Sequence, residues 1–474
     1  MNNKKALILA GIIFLGINIK IAFLSQSFVF GVDHAERPII EFLIYVLFGF
    51  LIYWFVLEQF RKNRAGYRVN GFILGWIVMI GVLARLVYFP SQLIQETDPY
   101  RYVWDGQMML AKQNPYSLSP QEVFERGLFS LDSSKREMVQ YVNERINHPG
   151  VKTIYPPGAQ FLFGFAQVLS PWSLIGWKVM ILVAEILILV LMVLTLKHFR
   201  FPPEWVALYA WSPLIIKEFS NSLHLDVFAV LFICLMTYAL IKKRHQLALL
   251  SLAAATMIKW FAIILFPFLL VMFRQNLLKN LMSIGMFSVV IVASFLPFMN
   301  AGAGALFDGL LRFSSEWKVN DGLFSVITGV IQSSHLPYDV NVLSRGIIAL
   351  ILGFIMVLAC QRLLRKRTIF RFLKMSLISL AVLFFLIPMG NPWYFTWLFP
   401  FLIIFPSRAL IAFSGLVFLY YLDFYFMYQN QRDLFTWVRL VEYGPFFIVL
   451  GVELWTQNRQ LPLLSRSTTR AISS

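Results

Sequence analysis

Apolar residues run through this chain in blocks of about twenty, separated by short polar breaks. Continuous blocks of that length match the hydrocarbon thickness of a bilayer crossed by a helix. The runs do not alternate, so a membrane β-barrel is excluded. Candidate spans are 6–24, 38–60, 70–90, 174–196, 203–219, 225–241, 246–258, 260–273, 277–299, 342–362, 370–388, 392–406, 409–428 and 438–457. The pattern predicts an all-α polytopic membrane protein of about fourteen transmembrane helices. Several of these runs are short, as expected of broken or tilted helices shielded by neighbours. The segment Tyr155 to Leu169 is apolar too. Counting it as a span would place Lys197, His198 and Arg200 on the outer side, so it is read as a re-entrant or interfacial helix.

Composition agrees with the pattern. Of 474 residues, 59% are hydrophobic and 14% charged, where ordinary soluble domains are about a quarter charged. The formal net charge is +17. In a soluble chain this would suggest nucleic acid. Here the basic residues cluster at Arg61-Lys62-Asn63-Arg64, at Lys242-Lys243-Arg244 and from Arg362 through Lys374, as the positive-inside bias of cytoplasmic loops requires. Such clusters attract anionic membrane lipids, and no nucleic-acid partner is expected. With both termini cytoplasmic, the loops 91–153 and 300–341 and the segment Gly390-Asn391-Pro392-Trp393-Tyr394 face outward. Lys4-Lys5 and the apolar run from Ala6 read as a retained first helix, because no convincing small-residue cleavage site follows. Cys234 and Cys360 lie in separate apolar runs and read as structural.

Polar residues concentrate on the expected outer side. Asp98-Pro99 opens a short helix over 99–112, with Asp98 as N-cap and Pro99 in the first turn. Arg101 and Asp105, four apart, can pair along it. Asn221-Ser222-Leu223-His224-Leu225-Asp226 marks the outer start of a span. Polar groups at that depth are functional candidates by default, although Asp226 also suits a helix N-terminus. His224 and Asp226 would project about 200° apart on a regular helix, so both serve one ligand only if the helix begins after His224. Lys259 before Trp260, and Lys217, sit where the charge bias disfavours lysine. Each either snorkels to lipid phosphate or binds a substrate phosphate. Glu316-Trp317-Lys318-Val319-Asn320 is either an interfacial tryptophan anchor or a sugar-recognition loop. The sequence contains no Gly-rich phosphate loop, Ser-His-Asp spacing or zinc ligand set.

The order of motifs carries more than any one of them. It runs Thr97-Asp98-Pro99-Tyr100-Arg101-Tyr102-Val103-Trp104-Asp105-Gly106, Asn114-Pro115-Tyr116, Ile146-Asn147-His148-Pro149 and Thr153-Ile154-Tyr155-Pro156-Pro157. Then follow Ser212-Pro213 through Phe219 with Asn221 and His224-Leu225-Asp226, Ile258-Lys259-Trp260, and Asn391-Pro392-Trp393-Tyr394. Over roughly residues 85–405 this resembles the bacterial mannosyltransferase-like branch of the GT-C glycosyltransferases, which use polyprenyl-phosphate sugars. The resemblance implies a GT-C-like bundle in a bacterial plasma membrane. It further implies inverting transfer of a hexose, such as mannose, from a polyprenyl-phosphate donor to a lipid or glycan acceptor on the non-cytoplasmic face.

In that family an acid of the first large outer loop is the usual general base. The matching position is Asp98, with Asp105 as the alternative. Arg101, Lys217, Lys259 and Lys318 are the candidates for the lipid phosphate. His148, Tyr155, Asn221, His224, Asp226, Glu316, Trp317, Asn320 and Trp393 are candidates for sugar or acceptor. No cofactor is required by this reading. Some members of the family use a divalent cation, and no metal ligand is assigned here. The implied organisation is two accessory helices in 1–69, a catalytic core in 70–406, and C-terminal helices with a cytoplasmic tail in 407–474. Two other classes remain: a transporter or flippase of a lipid-linked or anionic substrate, and a membrane scaffold.

Overall fold

A computed structural model describes residues 2–62, 71–128, 133–273, 277–334 and 337–464. Asn63 and Arg64 of the first basic cluster, and the 465–474 tail, lie outside the described residues. The described chain is helical throughout, and its one β-bridge joins Val319 to Met389.

Among the described residues, eight helical segments are long and apolar enough to cross a membrane, against the fourteen spans expected. They are Lys4–Phe28, His34–Arg61, Ile175–His198, Leu278–Ala301, Val340–Arg365, Ile369–Leu386, Arg408–Tyr428 and Arg432–Thr456. Four further runs, Gly71–Val87, Asp226–Ile241, His245–Ile258 and Trp260–Phe273, form shorter apolar helices. The protein is therefore a helical membrane protein with a mixture of long and short helices.

The two remaining expected spans are not continuous helices. The 203–219 run begins at Pro203–Val206, breaks at Trp211 and ends in a wide-turned segment, Ile216–Asn221. The 392–406 run is likewise divided, into Pro392–Phe395, Thr396–Leu398 and Phe399–Leu402. Prolines at 202, 203, 213, 392 and 400 remove backbone donors and clash with a preceding turn. Both stretches are buried almost throughout, so their apolar composition reflects burial in protein rather than contact with lipid. The expected outer loop 300–341 also contains two helices, Ala303–Glu316 and Gly322–Ser333.

Buried polar contacts fasten the irregular backbone to its neighbours. Arg85 and Glu185 form an ion pair at 2.8 Å with no solvent exposure. Arg85 also donates to the carbonyls of Gly81 and Ala210, each at 2.8 Å, and Ser220 donates to Glu185 at 2.8 Å. Removing one partner of such a pair costs about 3–5 kcal/mol, because the other charge is left without compensation. Trp211 donates to the Ile77 carbonyl at 2.9 Å, and Tyr53 to the Leu208 carbonyl at 2.9 Å. The 203–221 stretch is thus held from three sides.

The segment read as re-entrant forms the helix Pro157–Leu169. Its thirteen residues extend about 20 Å, too short to cross a bilayer core of about 30 Å. It packs along the Asp98–Leu110 helix. The Tyr102 and Phe163 rings stack at 4.6 Å, and Gly106 lies against the Phe163 carbonyl, where any Cβ would clash. This contact fixes the position of the helix that begins at Asp98.

Candidate functional site

Asp98 differs from the expected N-cap. The helix starts at Asp98 itself, Thr97 occupies the cap position, and the last helical residue is Leu110. The capping acceptor is Glu96, whose Oε1 receives the N–H groups of Thr97 at 2.9 Å and Asp98 at 3.0 Å. An anionic acceptor at a helix N-terminus satisfies donors that have no intrahelical partner. With Glu96 in this role, the Asp98 side chain is left to accept one hydrogen bond, from Asn147 at 2.9 Å.

The other Glu96 oxygen lies 3.2 Å from His224 Nε2, which is also 3.4 Å from Glu218. His224 stacks on Trp393 with ring centres 3.9 Å apart. The Asp226–Ile241 helix begins after His224, as required for the two residues to escape opposite helix faces. Just before His224, Leu223 adopts φ 60°, a left-handed conformation uncommon for a bulky residue. Gln95 and His148, beside the same site, have φ 54° each. Such conformations cost of order 1–3 kcal/mol and persist where surrounding contacts over-determine them. Asn221 supplies some of those contacts: its amide donates to Ser91 Oγ at 3.1 Å and the Gln92 carbonyl at 2.7 Å, and accepts from Ile94 N at 3.0 Å.

These elements enclose a cavity of about 610 Å³. Of the residues singled out in the sequence, Asp98, Arg101, His148, Tyr155, Lys259, Trp317 and Trp393 line it. His148 meets Trp317 edge-to-face at 5.0 Å, which joins the 91–153 loop to the 313–320 segment. Lys259 occupies an extended residue between two helices and forms an ion pair with Asp226 at 3.1 Å. Asp226 in turn accepts from Trp397 at 2.7 Å.

The chain matches no known protein family, no curated protein and no solved structure. Its chemistry must therefore be read from its own geometry.

The remaining sequence candidates do not line this cavity. Asp105 is buried, with Arg101 at 2.8 Å, Thr153 at 2.6 Å and Gln160 at 3.3 Å. Lys217 is buried against Tyr421 and Glu218. Asn221, His224 and Asp226 act behind the wall, on the contacts given above. Asn320 bonds Glu442 at 2.8 Å and the Gly390 carbonyl at 3.2 Å. Glu316 pairs with Arg312 at 3.1 Å, and Lys318 is exposed with its ammonium over the Phe324 ring. Burial takes Asp105, Lys217, Asn221, His224, Asp226 and Asn320 into contacts within the protein, whereas Glu316 and Lys318 stay exposed outside the cavity.

Glu96, Asn147, Arg37 and Arg145 line the cavity and were not singled out as site residues from the sequence. Glu96 carries a local signal, since an acid two residues before Asp-Pro can cap the helix that follows. Arg37 carries none, because the contact that matters spans 58 residues, to Gln95.

Electrostatics separates the two neighbouring acids. Burial, the largest single influence, opposes ionisation of Glu96, but His224, the Asp98 backbone N–H and Lys217 together outweigh it and hold the carboxyl below its usual range. Burial, followed by the charge on Glu96, pushes Asp98 up to about 6. Glu96 is thus the fixed charge and Asp98 the stronger proton acceptor. Among the described residues, no group of three or more His, Cys, Asp or Glu is placed to hold a metal ion.

Proposed function

We propose that the protein is an inverting glycosyltransferase, moving a hexose from a polyprenyl-phosphate donor to a lipid or glycan acceptor on the non-cytoplasmic face. The observation that carries this reading is the Asp98 carboxylate: half-buried, lightly bonded and facing an aromatic-walled cavity that also holds Lys259. The ordered resemblance to the GT-C enzymes adds weight to it.

In the proposed step an acceptor hydroxyl attacks the anomeric carbon as Asp98 takes its proton. The bond from that carbon to the phosphate oxygen breaks on the opposite side. Its electron pair leaves with the polyprenyl phosphate, and the configuration inverts. A carboxylate near 6 is a better base than an ordinary one yet remains ionised at neutral pH. Lys259 places positive charge where the leaving phosphate gains negative charge, and Asp226 keeps that ammonium oriented. Trp317, Trp393 and Tyr155 offer flat apolar faces for sugar rings, and the lipid tail follows the membrane-embedded surface. Arg101 serves as the partner of Asp105, so Asp98 is the base in this scheme.

The test is reconstitution of the protein with polyprenyl-phosphate hexose donors, with mass spectrometry of lipid-linked glycans from cells with and without it. The expected result is a missing hexosylated product in the absence of the protein and an inverted anomeric linkage in vitro. A retained configuration, or unchanged glycans with no transfer in vitro, overturns the proposal.

A further inference from the structure

The cavity wall contains five arginine and lysine residues: Arg37, Arg101, Arg145, Lys152 and Lys259. Three are paired with carboxylates. Arg101 has Asp105 at 2.8 Å, Lys259 has Asp226 at 3.1 Å, and Lys152 has Asp308 at 3.5 Å. Of the two acids in the wall, Glu96 faces His224 at 3.2 Å. After these pairs cancel, the charges left are Asp98 on one side and Arg37 and Arg145 on the other. Among the described residues neither arginine forms an ion pair.

The two arginines are held in place by neutral groups that leave their charge uncompensated. Arg37 Nη1 donates to Gln95 Oε1 at 2.6 Å, and Gln95 donates to Tyr428 at 3.0 Å. Arg145 Nη1 donates to the Tyr141 carbonyl at 2.7 Å, and its guanidinium lies 3.5 Å from the Tyr141 ring centre and 4.2 Å from that of Phe30. In both arginines Nε is buried with no acceptor. Phe30 and Arg37 both lie in the connector between the α-helices Asn2–Leu24 and Ile39–Lys62, so this connector reaches both arginine positions. A buried donor without an acceptor is unfavourable, and a planar guanidinium fork matches phosphate oxygens in a bidentate way, as it does those of a carboxylate.

We infer that Arg37 and Arg145 form a phosphate-ester subsite, built partly by the N-terminal helical hairpin. The subsite deepens the transferase reading and rests on it for its role in turnover. The ester bound there belongs either to the donor or to an acceptor that carries its own phosphate. The hairpin, outside the region of family resemblance, is then part of the site rather than an accessory.

Binding is measured on the detergent-purified full chain, with inorganic phosphate and with a short-chain prenyl phosphate as probes, by thermal shift and tryptophan fluorescence. Arg37→Gln and Arg145→Gln are each expected to weaken both probes about ten- to hundredfold. Arg432→Gln, at an exposed pair with Asp423, should leave binding unchanged. Equal affinity in the wild type and both cavity variants overturns the inference. If either glutamine variant unfolds, its Arg→Lys counterpart, which keeps charge but loses the fork, should weaken binding by a smaller factor. An unaltered affinity there also counts against the subsite. In a transfer assay, a raised KM for donor assigns the ester to the donor, and a raised KM for acceptor assigns it to the acceptor. Loss of phosphate binding in the variants, with no transfer by the wild type, would retain the subsite while rejecting the proposed reaction.

Discussion

Asp98 and Asp105 lie seven residues apart in one helix, yet they live in opposite circumstances. Asp105 is buried and surrounded by Arg101, Thr153 and Gln160, so its charge is fully used in holding loop to helix. Asp98 accepts one hydrogen bond and faces an open cavity, because Glu96 has taken over the cap. The difference shows how a fold separates carboxylates committed to structure from carboxylates left available at a cavity. A satisfied acid is inert, whereas a lightly bonded acid beside a fixed negative charge is a proton acceptor.

The largest expected effect comes from breaking each side of this contrast. Asp98→Asn should lower transfer by about 10²- to 10⁴-fold with the thermal midpoint nearly unchanged, since only the Asn147 bond is disturbed. Asp105→Asn should instead destabilise the protein by about 3 kcal/mol, leaving Arg101 without its partner. A stable but inactive Asp105→Asn, with an active Asp98→Asn, would reverse the assignment.

Lys259→Ala should raise the donor KM about tenfold through loss of one charge-assisted contact. Pairing it with Asp226→Asn removes the stranded acid and separates binding from folding. The pH profile sharpens the contrast further. Asp98 is raised to about 6 and, in the proposed reaction, acts as base when ionised, so the rate should fall as pH drops through about 6. Glu96 is one cause of that elevation, and glutamine keeps its capping oxygen. Glu96→Gln should therefore move the acid limb to lower pH, read from kcat/KM against pH. The smallest effect is expected from Trp317→Leu. Its edge-to-face contact with His148 is worth about 0.5–1.5 kcal/mol, and acceptor KM should rise about two- to tenfold.

Much of the fold was legible in sequence where apolar runs were long and uninterrupted. Among the described residues, all eight helices long enough to cross a membrane coincide with expected spans. Legibility failed at 203–219 and 392–406, where hydrophobicity reports burial and cannot distinguish a lipid-facing helix from irregular chain wrapped in protein. In the site, Asp98, Lys259, His148, Trp317 and Trp393 were readable from local motifs and reach one cavity. Lys217, Asp226 and Asn320 sat in equally suggestive motifs but are tied into buried contacts. A local motif gives a side chain's chemistry and approximate depth, not the partner waiting for it.

By itself, the sequence determined the helical membrane class, the long helices and the presence of reactive residue types near helix ends. These follow from periodicity and length, which are local properties of the chain. Tertiary structure alone decided which acid is spent and which is available, and brought the 29–37 connector to the cavity wall. Those outcomes depend on contacts such as Arg37 with Gln95, Asn147 with Asp98 and His224 with Glu96, made between residues 49 to 128 positions apart. Burial and charge pairing are fixed by such neighbours, and it is they that set whether a carboxylate binds a proton or an arginine.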